Sequence, residues 1–104
     1  MTVKETNDQN FENDTNNGLT VIDFFATWCG PCKMQAPIMD QLSDEMSEVS
    51  FYKIDVDENP QTAAKFNVMS IPTLLIKQNG SVVETVIGYH PKEQLKNLLS
   101  KYIN

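Results

Sequence analysis

Apolar residues fall along this chain in two kinds of run. Leu19 to Ala26 (LTVIDFFA) is almost continuously apolar, broken only by Asp23 and the threonine, as expected of a strand covered on both faces. Val49 to Val56 (VSFYKIDV) reads as a second strand, and Thr73 to Lys77 and Ser81 to Ile87 as two more. Asn79-Gly80 between the last two suits a tight type I′ hairpin, whose central residues both take positive φ. Helical spacing occurs elsewhere. From Gly30 or Pro31, where proline is tolerated in a first turn, the apolar positions Met34, Ile38, Leu42 and Met46 recur every four residues. Pro37 lies inside that helix and has no N–H for the carbonyl of Lys33, so a kink is expected there. Asn59-Pro60 suits the cap and start of a short helix running through Phe66. A last helix begins at Pro91, with Leu95, Leu98, Leu99, Tyr102 and Ile103 as its apolar stripe. Thr6, with Gln9 three residues on, reads as a capping box for a short helix that Phe11 alone anchors.

The order is strand, helix, strand, helix, hairpin, helix. The first part implies a parallel crossover and the hairpin adds antiparallel strands. An α/β fold follows, with a mixed central β-sheet flanked by α-helices on both faces. With 104 residues the chain supports one core, so residues 1–104 are expected to form a single domain.

Composition narrows the function. Hydrophobic residues make up 40% and charged residues 21%, as in ordinary globular proteins. The formal net charge is −6 at pH 7, and the chain has no arginine. Nucleic-acid binding, which needs a basic face, is set aside. The N-terminal stretch is polar, and no run is long enough to span a membrane, so a cytoplasmic protein is expected. A monomer is expected as well.

In that reducing compartment the chain's two cysteines are informative. Both lie in Trp28-Cys29-Gly30-Pro31-Cys32, directly after the first strand. A loop this short, already stiffened by proline, gains little from a structural cross-link. A Cys-x-x-Cys pair in the cytoplasm points instead to redox catalysis or metal binding. Zinc needs four ligands, and the other soft ligand, His90, is far away in sequence. His90 itself reads as a solvated residue before the last helix.

With the motif and strand order in hand, the chain resembles the thioredoxin family over nearly its whole length. Trp28-Cys29-Gly30-Pro31-Cys32-Lys33 matches the family's active-site motif, and Pro37 its helix-kinking proline. Asp23, Lys53, Asp57, Asn59-Pro60, Ile71-Pro72-Thr73, Gly80 and Gly88 fall where similar thioredoxins carry the same residues. Phe25 departs, standing where many relatives have a second tryptophan. Gln35 departs too, in a helix position that is commonly apolar. The resemblance implies the thioredoxin fold and a protein-disulfide reductase that binds no cofactor. Its partners would be disulfide-containing proteins and a flavin-containing thioredoxin reductase that passes on electrons from NADPH.

The chemistry expected of the motif follows from its position. Cys29 sits at a helix N-terminus, where free N–H groups and the helix dipole favour a thiolate. It is the expected nucleophile. Cys32, one turn in and less exposed, is the expected resolving thiol. Gly30 keeps the surface open and Pro31 stiffens the loop. Asp23 interrupts an apolar strand, and a buried carboxyl tends to stay protonated and to exchange protons near neutral pH. It is expected to activate Cys32 through water. Lys53, on the neighbouring strand, has two readings: a surface lysine, or a charge that tunes Asp23. Sequence alone favours a trans Ile71–Pro72 bond, whereas the resemblance implies cis, facing the disulfide. Trp28, Val56, Ile71, Pro72, Ile87, Gly88 and Tyr89 would then form an apolar docking patch, with the Ile71 backbone pairing to an extended substrate. Plain core packing is the alternative for these side chains. Two rivals share the fold: an oxidase or isomerase, which Gly30-Pro31 argues against, and a binding subunit that uses the patch without turnover.

Overall fold

The computed structural model describes residues 2–103; Met1 and Asn104 lie outside the described residues. The elements are β1 (Lys4–Glu5), α1 (Phe11–Thr15), β2 (Leu19–Phe25), α2 (Gly30–Glu45), β3 (Val49–Asp55), α3 (Pro60–Lys65), β4 (Thr73–Gln78), β5 (Ser81–Ile87) and α4 (Lys92–Ser100). They build one five-stranded sheet in the order β1-β3-β2-β4-β5. β1, β3 and β2 run parallel, and β4 and β5 are antiparallel to their neighbours. This is the expected mixed α/β architecture.

Period-two alternation explains the continuous apolar run of β2. Leu19 and Val21 join a core with Met39, Leu42, Leu74, Ile76, Leu95 and Leu99, contributed partly by α2 and α4. Ile22 and Phe24 join the opposite core with Phe11, Ile54 and Leu75, against which Phe66 packs. Both faces of the strand are therefore covered. β5 is an edge strand and keeps Val82 and Ile87 exposed. Its turn has the expected backbone, with φ of 50° at Asn79 and 88° at Gly80, and Gln78 pairs with Ser81.

The structure differs from the pattern at several points. β1 has two polar residues, too few for any periodicity, and exists because it pairs with β3. The capping box at Thr6 and Gln9 does not form. Asn10 precedes the helix, and the Thr6 hydroxyl donates instead to Asp14 Oδ2 at 2.7 Å. At five residues α1 is too short to be stable alone. Burial of Phe11, worth about 1.5–3 kcal/mol, holds it to the sheet.

In α2 the buried positions are Cys32, Gln35, Met39, Leu42 and Ser43, while Met34 is exposed. The buried face is thus rotated from the expected stripe, because the 3.6-residue repeat follows Cys32 rather than Met34. The helix runs continuously through Pro37. α4 stops at Ser100, and Tyr102 and Ile103 pack on the core from the turn beyond it.

α3 is capped from a distance. Asn59 makes no side-chain cap bond; Asp8 supplies it, its carboxylate accepting from the Thr62 N–H (2.8 Å), the Gln61 N–H (3.2 Å) and the Thr62 hydroxyl (2.7 Å). Burial pushes the Asp8 carboxyl up, but these bonds outweigh it and hold its pKa below the ordinary value.

Lys77, in β4, is 1% exposed on the face toward α1. Its ammonium donates to Thr15 Oγ1 at 2.9 Å and lies 4.9 Å from the Phe11 ring centre. Burial lowers its pKa, and Glu12 partly offsets this.

Candidate active site

The site forms where β2 hands the chain to α2. After Phe25, the Cys29 N–H donates to the Ala26 carbonyl at 3.2 Å and closes a turn that brings Cys29 to the N-cap position. Cys29 has extended dihedrals, φ −85° and ψ 115°, and Pro31 sits in the first helical turn, where its missing N–H costs nothing. Cys29 and Cys32 are joined as a disulfide with Cα atoms 5.3 Å apart. The Cys32 N–H donates to Cys29 Sγ at 3.2 Å. One of the helix's free amides thus points at that sulfur, as the N-terminal position requires.

Burial does not separate the two cysteines. Cys29 is 3% exposed and Cys32 4%, against the expectation that Cys32 is the more hidden. Their surroundings do separate them. Cys29 Sγ lies 3.7 Å from the Ile71 carbonyl oxygen, beside the cis Ile71–Pro72 bond. Cys32 lines a cleft of about 250 Å³ together with Asp23, Phe25, Lys33, Ala36 and Lys53.

Asp23 is 4% exposed, and its Oδ1 has no hydrogen-bond partner among the described residues. Burial raises its pKa to about 7, and the charge of Lys53 pulls in the opposite direction. Lys53 is its register partner on β3, and its own side chain is exposed, with the ammonium 5.9 Å from the Phe25 ring centre. Lys53 is thus an exposed lysine whose charge opposes the effect of burial on Asp23.

Of the candidate docking residues, Val56 and Ile71 pack against the cluster of Ala26, Cys29 and Cys32. Trp28 is 69% exposed, its indole N–H donating to Asp57 Oδ2 at 2.8 Å. Asp57 is itself fixed, its N–H donating to Asp55 Oδ1 at 2.9 Å. Ile87 lies opposite Thr73 across the β4–β5 pair, and the Gly88 N–H donates to the Pro72 carbonyl at 2.8 Å. Ile87 and Tyr89 are exposed on that side and do not belong to the disulfide's core cluster.

Two residues near the site escaped the pattern. Gln35, one turn beyond Cys32, is fully buried and bonds both main-chain groups of His90. His90 is accordingly tethered through its main chain and half-buried. A polar residue on the buried side of an amphipathic helix is the signal that marks Gln35 in the sequence. Among the described residues there is no cluster of three or more His, Cys, Asp or Glu able to hold a metal. Nor is any helix among them long and apolar enough to cross a membrane.

The disulfide spans a single helical turn at the end of β2, a placement suited to dithiol–disulfide exchange. The comparisons with known proteins agree with that class. The Thioredoxin family model matches residues 2–101. The chain is 55% identical over 102 residues to the thioredoxin of Listeria monocytogenes serovar 1/2a, covering 97% of this chain and 99% of that protein. It is 49% identical over 104 residues to the thioredoxin of Bacillus subtilis, covering 99% of this chain and 100% of the relative. The thioredoxin of Staphylococcus saprophyticus is 46% identical over the same length, with the same coverage. The chain belongs to the thioredoxin family.

Proposed function

We propose that this protein reduces disulfides in other proteins by dithiol–disulfide exchange, with Cys29 as nucleophile and Cys32 as resolving thiol. The observation that carries the assignment is the placement of Cys29 at the N-cap of α2 with the Cys32 N–H donating to its sulfur. That amide and the positive end of the helix favour a thiolate at Cys29 over one at Cys32.

The reaction then balances in two displacements. The Cys29 thiolate attacks one sulfur of the substrate disulfide; a mixed disulfide forms and the first substrate thiolate leaves. Cys32 loses its proton and attacks the Cys29 sulfur. The Cys29–Cys32 disulfide forms, and the second substrate thiolate leaves and is protonated. Two electrons have passed from the dithiol to the substrate. Asp23 takes the Cys32 proton, through water, from its position lining the same cleft as Cys32. A pKa of about 7 lets it accept and return that proton near neutral pH. Lys53 keeps that pKa from rising further.

An extended substrate segment docks by pairing with the Ile71 backbone beside Pro72, over an apolar surface made by Trp28, Val56, Ile71, Ile87, Gly88 and Tyr89. Gly30 and Pro31 leave the approach to Cys29 open. The protein acts as a single-domain monomer in the cytoplasm with no bound cofactor. A flavin-containing thioredoxin reductase returns it to the dithiol with electrons from NADPH.

The test is a Cys32→Ser variant, which removes the second displacement. Incubated reduced with a disulfide-containing protein, it should accumulate a stable adduct that peptide mapping by mass spectrometry locates on Cys29. Absence of the adduct, or its location elsewhere, contradicts the assignment.

A further inference from the structure

We propose that Gln35 is a positioning residue that sets the substrate-docking wall beside the disulfide by pinning the His90 main chain to the redox helix. This rests on the docking surface proposed above.

Gln35 lies three residues after Cys32, on the buried face of α2, and is 0% exposed. Its amide meets one residue twice. Oε1 accepts from the His90 N–H at 2.9 Å, and the Nε2 group donates to the His90 carbonyl at 3.1 Å. A side-chain amide is used here as a strand neighbour would be, joining both main-chain groups of one residue. His90 follows directly on Ile87, Gly88 and Tyr89.

The connection continues beyond His90. Its Nδ1 lies 2.9 Å from the Gly88 carbonyl oxygen, which only accepts, so Nδ1 carries the proton and donates. The Gly88 N–H in turn donates to the Pro72 carbonyl at 2.8 Å. An unbroken series of hydrogen bonds therefore runs from the first turns of α2, through the β5–α4 connection, to the Pro72 segment that borders Cys29. It links both walls of the space a substrate strand would enter.

Packing alone does not hold this connection. On its other side it borders an open cleft of about 430 Å³ between β5 and α4, lined by Ile87, His90, Gln94 and Leu98 among others. An apolar side chain at position 35 would fill the same volume but leave the His90 N–H and carbonyl to find water, and the connection would be free to move outward.

The expected consequence is selective. A protein disulfide that must lie against Ile87–Tyr89 depends on this wall, whereas a small disulfide needs only the thiols. Gln35→Met keeps volume and removes both bonds. Stopped-flow oxidation of the pre-reduced protein, read by Trp28 fluorescence, gives the rate constants with insulin and with bis(2-hydroxyethyl) disulfide. The insulin rate constant should fall at least fivefold and the small-disulfide constant should stay within twofold. The His90 amide should exchange with deuterium at least tenfold faster.

His90→Ala keeps the main-chain clamp and cuts the ring's bond to Gly88. It should give a smaller, same-signed loss with insulin, and it keeps the inference testable if Gln35→Met folds poorly. A ratio of the two rate constants unchanged in both variants overturns the inference, as does a parallel fall of both rates, which would place Gln35 in the redox step. A wild-type protein that oxidises with neither disulfide overturns the functional reading itself, and that failure is seen before any variant is made.

Discussion

Asp23 shows what one buried group does to the whole chain. Its pKa is about 7 in the folded protein and about 3.9 for an ordinary aspartate, so between those values the folded state holds a proton that the unfolded state has lost. Stability therefore falls as pH rises through that window and levels off above it, by a total on the order of 4 kcal/mol. Asp23→Asn should abolish the slope. In urea unfolding, the variant should gain about 2–4 kcal/mol over wild type at pH 8 and little at pH 4. The same variant should slow turnover at neutral pH, as the proton-acceptor role proposed for Asp23 requires. Lys53→Gln should move the pKa of Asp23 upward, since the lysine charge opposes the effect of burial. A pH–rate profile shifted to higher pH checks this, and an unshifted profile contradicts it. Asp23 was legible as an acid in an apolar strand. The partnership of Gln35 with His90 was not, because it joins positions 55 residues apart and needs the fold to bring them together.

At the scale of elements, local signals located strands and helices wherever burial has a period. They failed where a tertiary partner does the work. α3 was legible from Asn59-Pro60, yet its cap comes from Asp8, and no rule of local spacing reaches across that interval. Asp8→Ala should cost about 1 kcal/mol, the usual value of an N-cap, measured by urea unfolding at pH 7. Because the Asp8 pKa is depressed, its contribution is complete above the ordinary aspartate pKa and is lost as pH falls through the folded value. The deficit of Asp8→Ala should accordingly shrink in strong acid. β1 has no pattern of its own and follows from an open edge on β3. Met34 falls on the expected stripe because a four-residue repeat approximates a helical one, whereas the buried face is set by Cys32, Gln35 and Met39. Lys77 extends an apolar strand with a cation, and the ring of Phe11, the hydroxyl of Thr15 and the carboxylate of Glu12 show why it is tolerated there.

At the scale of the molecule, the sheet is covered on both faces and carries its reactive pair at one end of a central strand. The fold should not depend on that pair. Closing so short a loop contributes at most about 2 kcal/mol on the chain-entropy view, a minor part of the 5–15 kcal/mol typical of a domain. Thermal melting with and without dithiothreitol should show a lower midpoint for the reduced protein, with one cooperative transition in each case. Loss of cooperativity on reduction would mean that the disulfide is structural. The central claim, that Cys29 and Cys32 form a reversible, reducing redox couple, is tested most directly by titrating the pair against defined thiol buffers and reading Trp28 fluorescence. The expected result is a single two-electron transition well below the roughly −180 mV of isomerase-type pairs. A midpoint at or above that value, or no transition at all, would contradict it.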